Sequence, residues 1–299
     1  MKFLETLING LSVGGIYAMI ALGYTMVYGI AKMLNFAHGD IIMVGAYVIV
    51  LMIPVNPIVA IIAAIVFCAL LGISIEKIAY KPLRGASPLA VLITAIGVSY
   101  LLQSLAQIIA GPNPKFNNLL ESLFPDFVEE YRGGNIAIGS FNLKLSTIIT
   151  LACVAAVMIG LTLFVKRTKT GRAMVAVSED KGAAQLMGIN VNFIIMITFA
   201  IGSALAALAS TLMMLDGQKF AVDMGSLPGI KAFTAAVIGG IGSIPGAMLG
   251  GIVLGLVECF SQSITAIAPY TVAIEFSILI IVLLVKPTGF LGKKRREKV

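Results

Sequence analysis

Apolar stretches of about the length that crosses a bilayer recur along the whole chain, and nothing else constrains the fold as tightly. A hydrocarbon core about 30 Å thick takes ~20 residues of helix to span. Inside it every backbone N–H and C=O must be satisfied by the protein itself, which leaves helices or a closed barrel. The stretches are continuously apolar and do not alternate over ~10-residue strands, so helices are expected. Composition agrees: of 299 residues, 59% are hydrophobic and 12% charged, against about 25% charged in soluble domains. The expected class is all-α, a polytopic transmembrane helical bundle of eight to nine spans with short or broken helices.

The expected spans are Leu7 to Ala31, Gly39 to Ile53, a third ending at Ile75, Pro88 to Ala110, Lys144 to Val165, Phe193 to Leu215, a short piece Ile230 to Ile241, a helix ending near Gln262, and Tyr270 to Val285. Pro54-Val55-Asn56-Pro57 reads as a tight turn, because proline restricts its own φ and the residue before it. Polar residues fill Gly111 to Asn142, and basic loops cover 76–84 and Lys166 to Asn190. The piece from Ile230 is short: about twelve residues rise only ~18 Å. It either crosses or pairs with its successor as a re-entrant segment, and the choice changes the parity of the termini.

The formal charge is +7, but the excess lies in short loops and in the tail 286–299, a topology signal and not a nucleic-acid patch. One set of loops carries 15 Lys and Arg and the other side 6, with Lys231 counted among the latter. The positive-inside rule puts the richer set in the cytoplasm, with the N-terminus outside and the C-terminus inside. Cys68, Cys153 and Cys259 sit in apolar runs without disulfide or zinc spacing. The first apolar run follows Lys2 without a clear cleavage site and reads as a retained helix.

Four places are chemically unusual. At Asn35-Phe36-Ala37-His38-Gly39-Asp40, either one helix ends and Asp40 caps the next, or the chain breaks beside a translocation path, with Asn35, His38 and Asp40 facing it. A lone histidine is weak evidence for a metal, and no metal site is expected. The run Gly239-Gly240-Ile241-Gly242-Ser243-Ile244-Pro245-Gly246, with Gly250, Gly251 and Gly255 beyond, suits close helix packing. It also suits a discontinuous helix lining the path at Gly239, Gly240, Gly242 and Pro245. Glu258 and Glu275 are acids on the last two spans, expected near outer helix ends and solvated.

The fourth place is the loop Lys166 to Asn190. Met174, Val177, Ala184, Leu186 and Met187 offer an apolar side among charges, and Ser178 is positioned to cap a second short helix. Such a segment either docks into a groove on a soluble partner or lies on the membrane surface. No G-x-x-x-x-G-K-[ST] loop, G-x-S-x-G or H-E-x-x-H motif occurs, so no enzyme activity is expected.

Leu7-Ile8-Asn9-Gly10-Leu11, Gly15-Ile16-Tyr17-Ala18, Ala21-Leu22-Gly23-Tyr24, Tyr28-Gly29 and Asn35-Phe36-Ala37-His38-Gly39 together resemble the branched-chain amino acid permease family of ATP-binding cassette (ABC) importers, in its LivH-type subunit. So do Gly171-Arg172-Ala173-Met174, Ala183-Ala184-Gln185-Leu186-Met187-Gly188-Ile189 and Phe233 to Ala247. The resemblance covers nearly the full chain. It implies one permease domain over 1–299 in the cytoplasmic (inner) membrane, with 166–190 as an ATPase-docking loop. The docking residues it implies are Arg172, Glu179, Ala183, Ala184, Leu186, Met187 and Gly188. Many such loops read Glu-Ala-Ala, three residues, then Gly; here Gly182 stands where the Glu would be.

The implied machine pairs this chain with a sister permease, two ATP-binding subunits and an extracytoplasmic amino-acid-binding protein. ATP and Mg are used by the ATPases, and this chain needs no cofactor of its own. The expected cargo is leucine, isoleucine or valine. Relatives with similar motifs carry urea or short amides. Two rival mechanisms stay open: a passive channel, and an ion-coupled carrier using Asp40, Glu258 or Glu275.

Overall fold

The computed structural model describes residues 2–111, 119–130, 135–138, 141–217 and 221–292. Helix α1 spans Lys2–Ala31, α2 His38–Met52, α3 Pro57–Ile75, α4 Pro88–Ala110, α5 Leu119–Leu123, α6 Pro125–Glu130, α7 Leu145–Arg167, α8 Lys169–Glu179, α9 Lys181–Leu186, α10 Val191–Leu215, α11 Ser226–Gly239, α12 Ile244–Ser263 and α13 Thr271–Val285. Among the described residues, seven helical stretches are long and apolar enough to cross a membrane. Helices α2 and α11 are apolar but shorter; at 15 and 14 residues they rise only about 22 and 21 Å. The span count of eight or nine therefore depends on these two.

Local chemistry sets most helix starts. Asn56 accepts from the amides of Ile58 and Val59 at the start of α3, with Pro57 behind it. Ser87 does the same for α4 ahead of Pro88. Ser243 accepts from Gly246 N at 3.2 Å to open α12, whose second residue is Pro245. These are N-caps followed by a proline in the first turn, where its missing N–H costs nothing.

The basic loop 76–84 is not irregular: α3 continues through a π turn, Glu76–Tyr80, into a 3-10 turn, Lys81–Leu83. The polar segment before α7 holds α5, α6 and an antiparallel hairpin of β1 (Asn135–Ile138) and β2 (Phe141–Lys144). That hairpin is a small departure from an all-α chain.

The long helices pack in a pattern that occurs twice. Helices α1 to α3 and α10 to α12 each run long, short, long. In the first set α1 packs on α11 and α12; in the second α10 packs on α2 and α3. Helices α2 and α3 pack together as α11 and α12 do, and α1 crosses α10. At that crossing Gly23 and Gly202 face each other backbone to backbone. Internal repeats of packing are a recurrent transporter design.

The core lies between these helices, around Met19, Ile20, Leu22, Ile41, Ile42 and Phe199, all with almost no exposure. Small residues permit the closest approaches. A Cβ on Gly255 would collide with Gly14, and one on Gly251 with Ala18, so α12 lies directly against α1. Gly246 and Gly250 face the other way, onto Gly239 and Ala235 of α11. The glycine spacing in the sequence thus serves two helix interfaces at once.

Candidate functional site

The first candidate site sits where α2 begins. His38 packs against Gly23 and the ring of Tyr24, centroids 4.7 Å apart. Gly23 lies eight residues before α1 ends at Ala31, about 12 Å up the helix. The chain therefore doubles back after α1, and α2 starts inside the bundle. Helix α11 starts beside it: a Cβ on Gly225 or on Gly39 would strike the other's carbonyl, and one on Gly229 would touch Gly39. Two short helices open at one interior point.

The polar groups here are buried. Asn35 accepts from Tyr80 Oη at 2.9 Å. Asp40 Oδ1 accepts from Gln103 Nε2 of α4 at 2.8 Å. The cap expected from Asp40 is not made: Ala37 occupies the N-cap of α2 and no side chain caps it. Gln103 lies 63 residues away in sequence, and it takes the carboxylate that local spacing assigned to the helix start.

The second cluster, Gly239, Gly240, Gly242 and Pro245, lies at the far end of α11. From Gly229 to Gly239 is ten residues, about 15 Å of helix, so the two candidate path segments lie at opposite ends of α11. Gly240 and Gly242 hold φ of 106° and 95°, a region that disfavours any side chain. The C-terminal segment closes this corner: Phe290 N donates to Ile238 O at 2.8 Å and Leu291 N to Gly239 O at 2.9 Å. Residues 293–299 of the basic tail lie outside the described residues.

Glu258 and Glu275 are not solvated as expected. Lys231 Nζ of α11 lies 2.9 Å from Glu258 Oε1 and 3.2 Å from Glu275 Oε1. Tyr17 Oη donates to Glu258 Oε2 at 2.7 Å, and Gln262 Nε2 to Oε1 at 3.1 Å. Glu275 is only 1% exposed. The charge count puts Lys231 on the outer side as a topology signal, whereas it is a buried helical residue. Its position within an apolar piece was the available signal, since an intramembrane lysine demands a partner.

The loop 166–190 folds into α8 and α9. Thr168 caps α8 by accepting from Gly171 N at 2.9 Å. Asp180, not Ser178, caps α9, accepting from Ala183 N at 3.0 Å; Ser178 Oγ instead donates to Val175 O. The apolar side divides in two. Met174, Val177 and Ala184 turn inward and are buried, while Leu186 and Met187 are 90% and 82% exposed. Arg172, Glu179, Ala183 and Gly188 are exposed as well. Lys181 ties this unit to the bundle by donating to Ala31 O at the end of α1, 2.9 Å away. Burial, and then the neighbouring Arg84 charge, lower the pKa of Lys181 below the ordinary lysine value.

Residues 6–283 match the family described as the branched-chain amino acid transport system / permease component. The chain is 44% identical to the high-affinity branched-chain amino acid transport system permease protein BraD of Pseudomonas aeruginosa, covering 99% of this chain and 98% of that protein. It is 40% identical to LivH of Escherichia coli K12, covering 100% and 98%. The LivM permease of the same organism is 27% identical, over 94% of this chain and 69% of that protein.

Proposed function

The chain belongs to the branched-chain amino acid transport permease family, and from that premise we propose that it forms half of the membrane path of an ABC importer for leucine, isoleucine and valine. The observation that carries the proposal is the match to permeases of that system over 99–100% of this chain and 98% of theirs. The likeness to LivM supports a heterodimer with a related sister permease. The permease domain then takes the whole chain, in the cytoplasmic membrane, with the basic loops and C-terminus inside.

The α8–α9 unit would receive an ATPase subunit. Its capped helices and the lysine tie to α1 hold it to the bundle, while Leu186 and Met187 remain outside any core. Two large apolar side chains left in water favour a partner that covers them. Arg172, Glu179, Ala183 and Gly188 would frame that contact, and Ala184 would support it from beneath. ATP and Mg belong to the ATPases. Binding there moves the permease only through differential affinity for its two states, and the short α2 and α11 give that shift movable parts. In this reading Asn35, His38 and Asp40 form the junction about which α2 turns, and Gly239, Gly240, Gly242 and Pro245 form the corner that lets α11 and α12 pack.

Substrate choice is tested by competition. Proteoliposomes holding this chain, its sister permease and the ATPases are supplied with the binding protein, ATP and labelled leucine. Unlabelled isoleucine and valine are expected to suppress uptake while urea leaves it unchanged. Suppression by urea alone would move the assignment to small amides.

A further inference from the structure

Helix α4 has an exposed polar stripe that a lipid-facing helix does not need. Tyr100, Gln103, Ser104 and Gln107 fall at i, i+3, i+4 and i+7, one face of the helix. Tyr100 is 66% exposed, Ser104 and Gln107 are exposed and Gln103 is half-buried. Below them the same face reads Leu89, Ile93 and Ile96, all exposed and apolar. The neighbouring face, Leu101, Leu105 and Ile108, is exposed and wholly apolar. On a third side Leu102 and Ala106 turn inward and, with Leu105 at the edge, help line an apolar cleft of about 230 Å³ with α2 and α3. Helix α4 thus has one hydrocarbon face, one packed face and one face that changes from apolar to polar along its length.

Serines on hydrocarbon faces elsewhere in the chain bond to their own helix: Ser74 Oγ donates to Leu70 O and Ser277 Oγ to Ala273 O. Among the described residues the side chains of Tyr100, Ser104 and Gln107 make no hydrogen bond. An unpaired amide or hydroxyl in hydrocarbon costs several kcal/mol, so this face meets water, solute or a second polypeptide. Behind it, Asp40 holds the Nε2 of Gln103, which also reaches Ser99 Oγ at 3.4 Å. A carboxylate 3% exposed is thereby used to orient one amide of the stripe.

We propose that the face formed by Tyr100, Gln103, Ser104 and Gln107 lines a water-filled passage and contacts the ammonium and carboxylate groups of the transported amino acid. This rests on the importer reading above. Amides and hydroxyls both donate and accept, so they can replace water around a zwitterion. None of the four is a carboxylate, ammonium or guanidinium, so none holds either pole as an ion pair would. A passage needs that: binding favourable enough to enter and weak enough to leave. The apolar part of the stripe, Leu89 to Ile96, lies toward the basic end of the bundle and forms the narrow stretch that aliphatic side chains cross.

The test is cysteine accessibility in the assembled transporter. Cys68, Cys153 and Cys259 are replaced by alanine, and single cysteines are placed at 100, 103, 104 and 107 or at 101, 105 and 108. Charged thiol reagents react with thiolate, which does not form in hydrocarbon. Rapid labelling at the first four positions, background labelling at the other three, and slowing by leucine-loaded binding protein with ATP are expected. Equal labelling at both sets, or no labelling at the stripe, overturns the inference. Leucine uptake by the parent complex is measured in the same vesicles. Uptake without stripe labelling sinks only this inference. Stripe labelling without ATP-driven uptake sinks the importer reading and the solute contact with it. As a second readout, Ser104→Leu with Gln107→Leu is expected to lose uptake while still copurifying with the ATPases; retained uptake would contradict the proposal.

Discussion

Lys231 of α11 bridges the carboxylates of two further helices, 3.2 Å from Glu275 on α13 and 2.9 Å from Glu258 on α12. Its ammonium also stands 5.6 Å above the ring of Tyr17 on α1. Four helices of the bundle are joined by one cation. Removing one partner of a buried ion pair costs about 3–5 kcal/mol, because the other charge is left uncompensated.

Lys231→Met leaves two acids without their cation and is expected to lose that amount, seen as reduced yield and a lower unfolding midpoint of the complex. Glu275→Gln keeps the Lys231–Glu258 pair and is expected to be far milder. The double variant Lys231→Met with Glu275→Gln should recover part of the loss. Equal damage from both single changes would contradict a bridging role.

The α1–α12 interface gives a steric prediction. Gly255→Val puts atoms into the Gly14 backbone and should cost at least the ~1–3 kcal/mol typical of overpacking. Gly160→Ala on α7 meets nothing within 4 Å and should hold or slightly raise the midpoint, since alanine is the better helix former. Thermal unfolding in nanodiscs compares the two directly.

Tyr80→Phe removes the hydroxyl that donates to Asn35 Oδ1, both residues being buried. An acceptor left unpaired costs about 1–3 kcal/mol. Asn35→Leu combined with Tyr80→Phe should cost less than the sum of the single changes, as a double-mutant cycle would reveal.

Lys181 supplies a pH dependence. Its folded pKa is lowered by burial and by Arg84, so the unfolded chain binds more protons between the folded value and the ordinary lysine value. Stability from this group therefore rises with pH across that alkaline window. The midpoint of the parent chain should gain on that of Lys181→Met as pH rises through it. A difference that stays flat would contradict the assignment.

Much of this architecture was legible in the sequence because its causes are local. The apolar runs, the Asn56-Pro57 and Ser87-Pro88 helix starts and the Gly251–Gly255 spacing each follow from a few consecutive residues. The misread features depend on distant partners. Asp40 answers to Gln103 and Lys231 to Glu275, and neither pairing is visible until α4 and α13 are placed. The interior start of α2 was equally hidden, since Lys32 to Ala37 reads as an ordinary loop. The α4 stripe is absent from the sequence reading because its spacing suits a packed polar face equally well, and only exposure distinguishes the two.

In the proposed importer, ATP hydrolysis by a partner drives this chain through the α8–α9 contact. Leucine accumulation is measured in proteoliposomes holding this chain, its sister permease, the ATPases and the binding protein. Accumulation is expected to require ATP, and to be lost in Leu186→Asp together with ATPase copurification, while the permease pair keeps its unfolding midpoint. Leucine flux from this chain alone without ATP, or undiminished uptake in Leu186→Asp, would contradict the account.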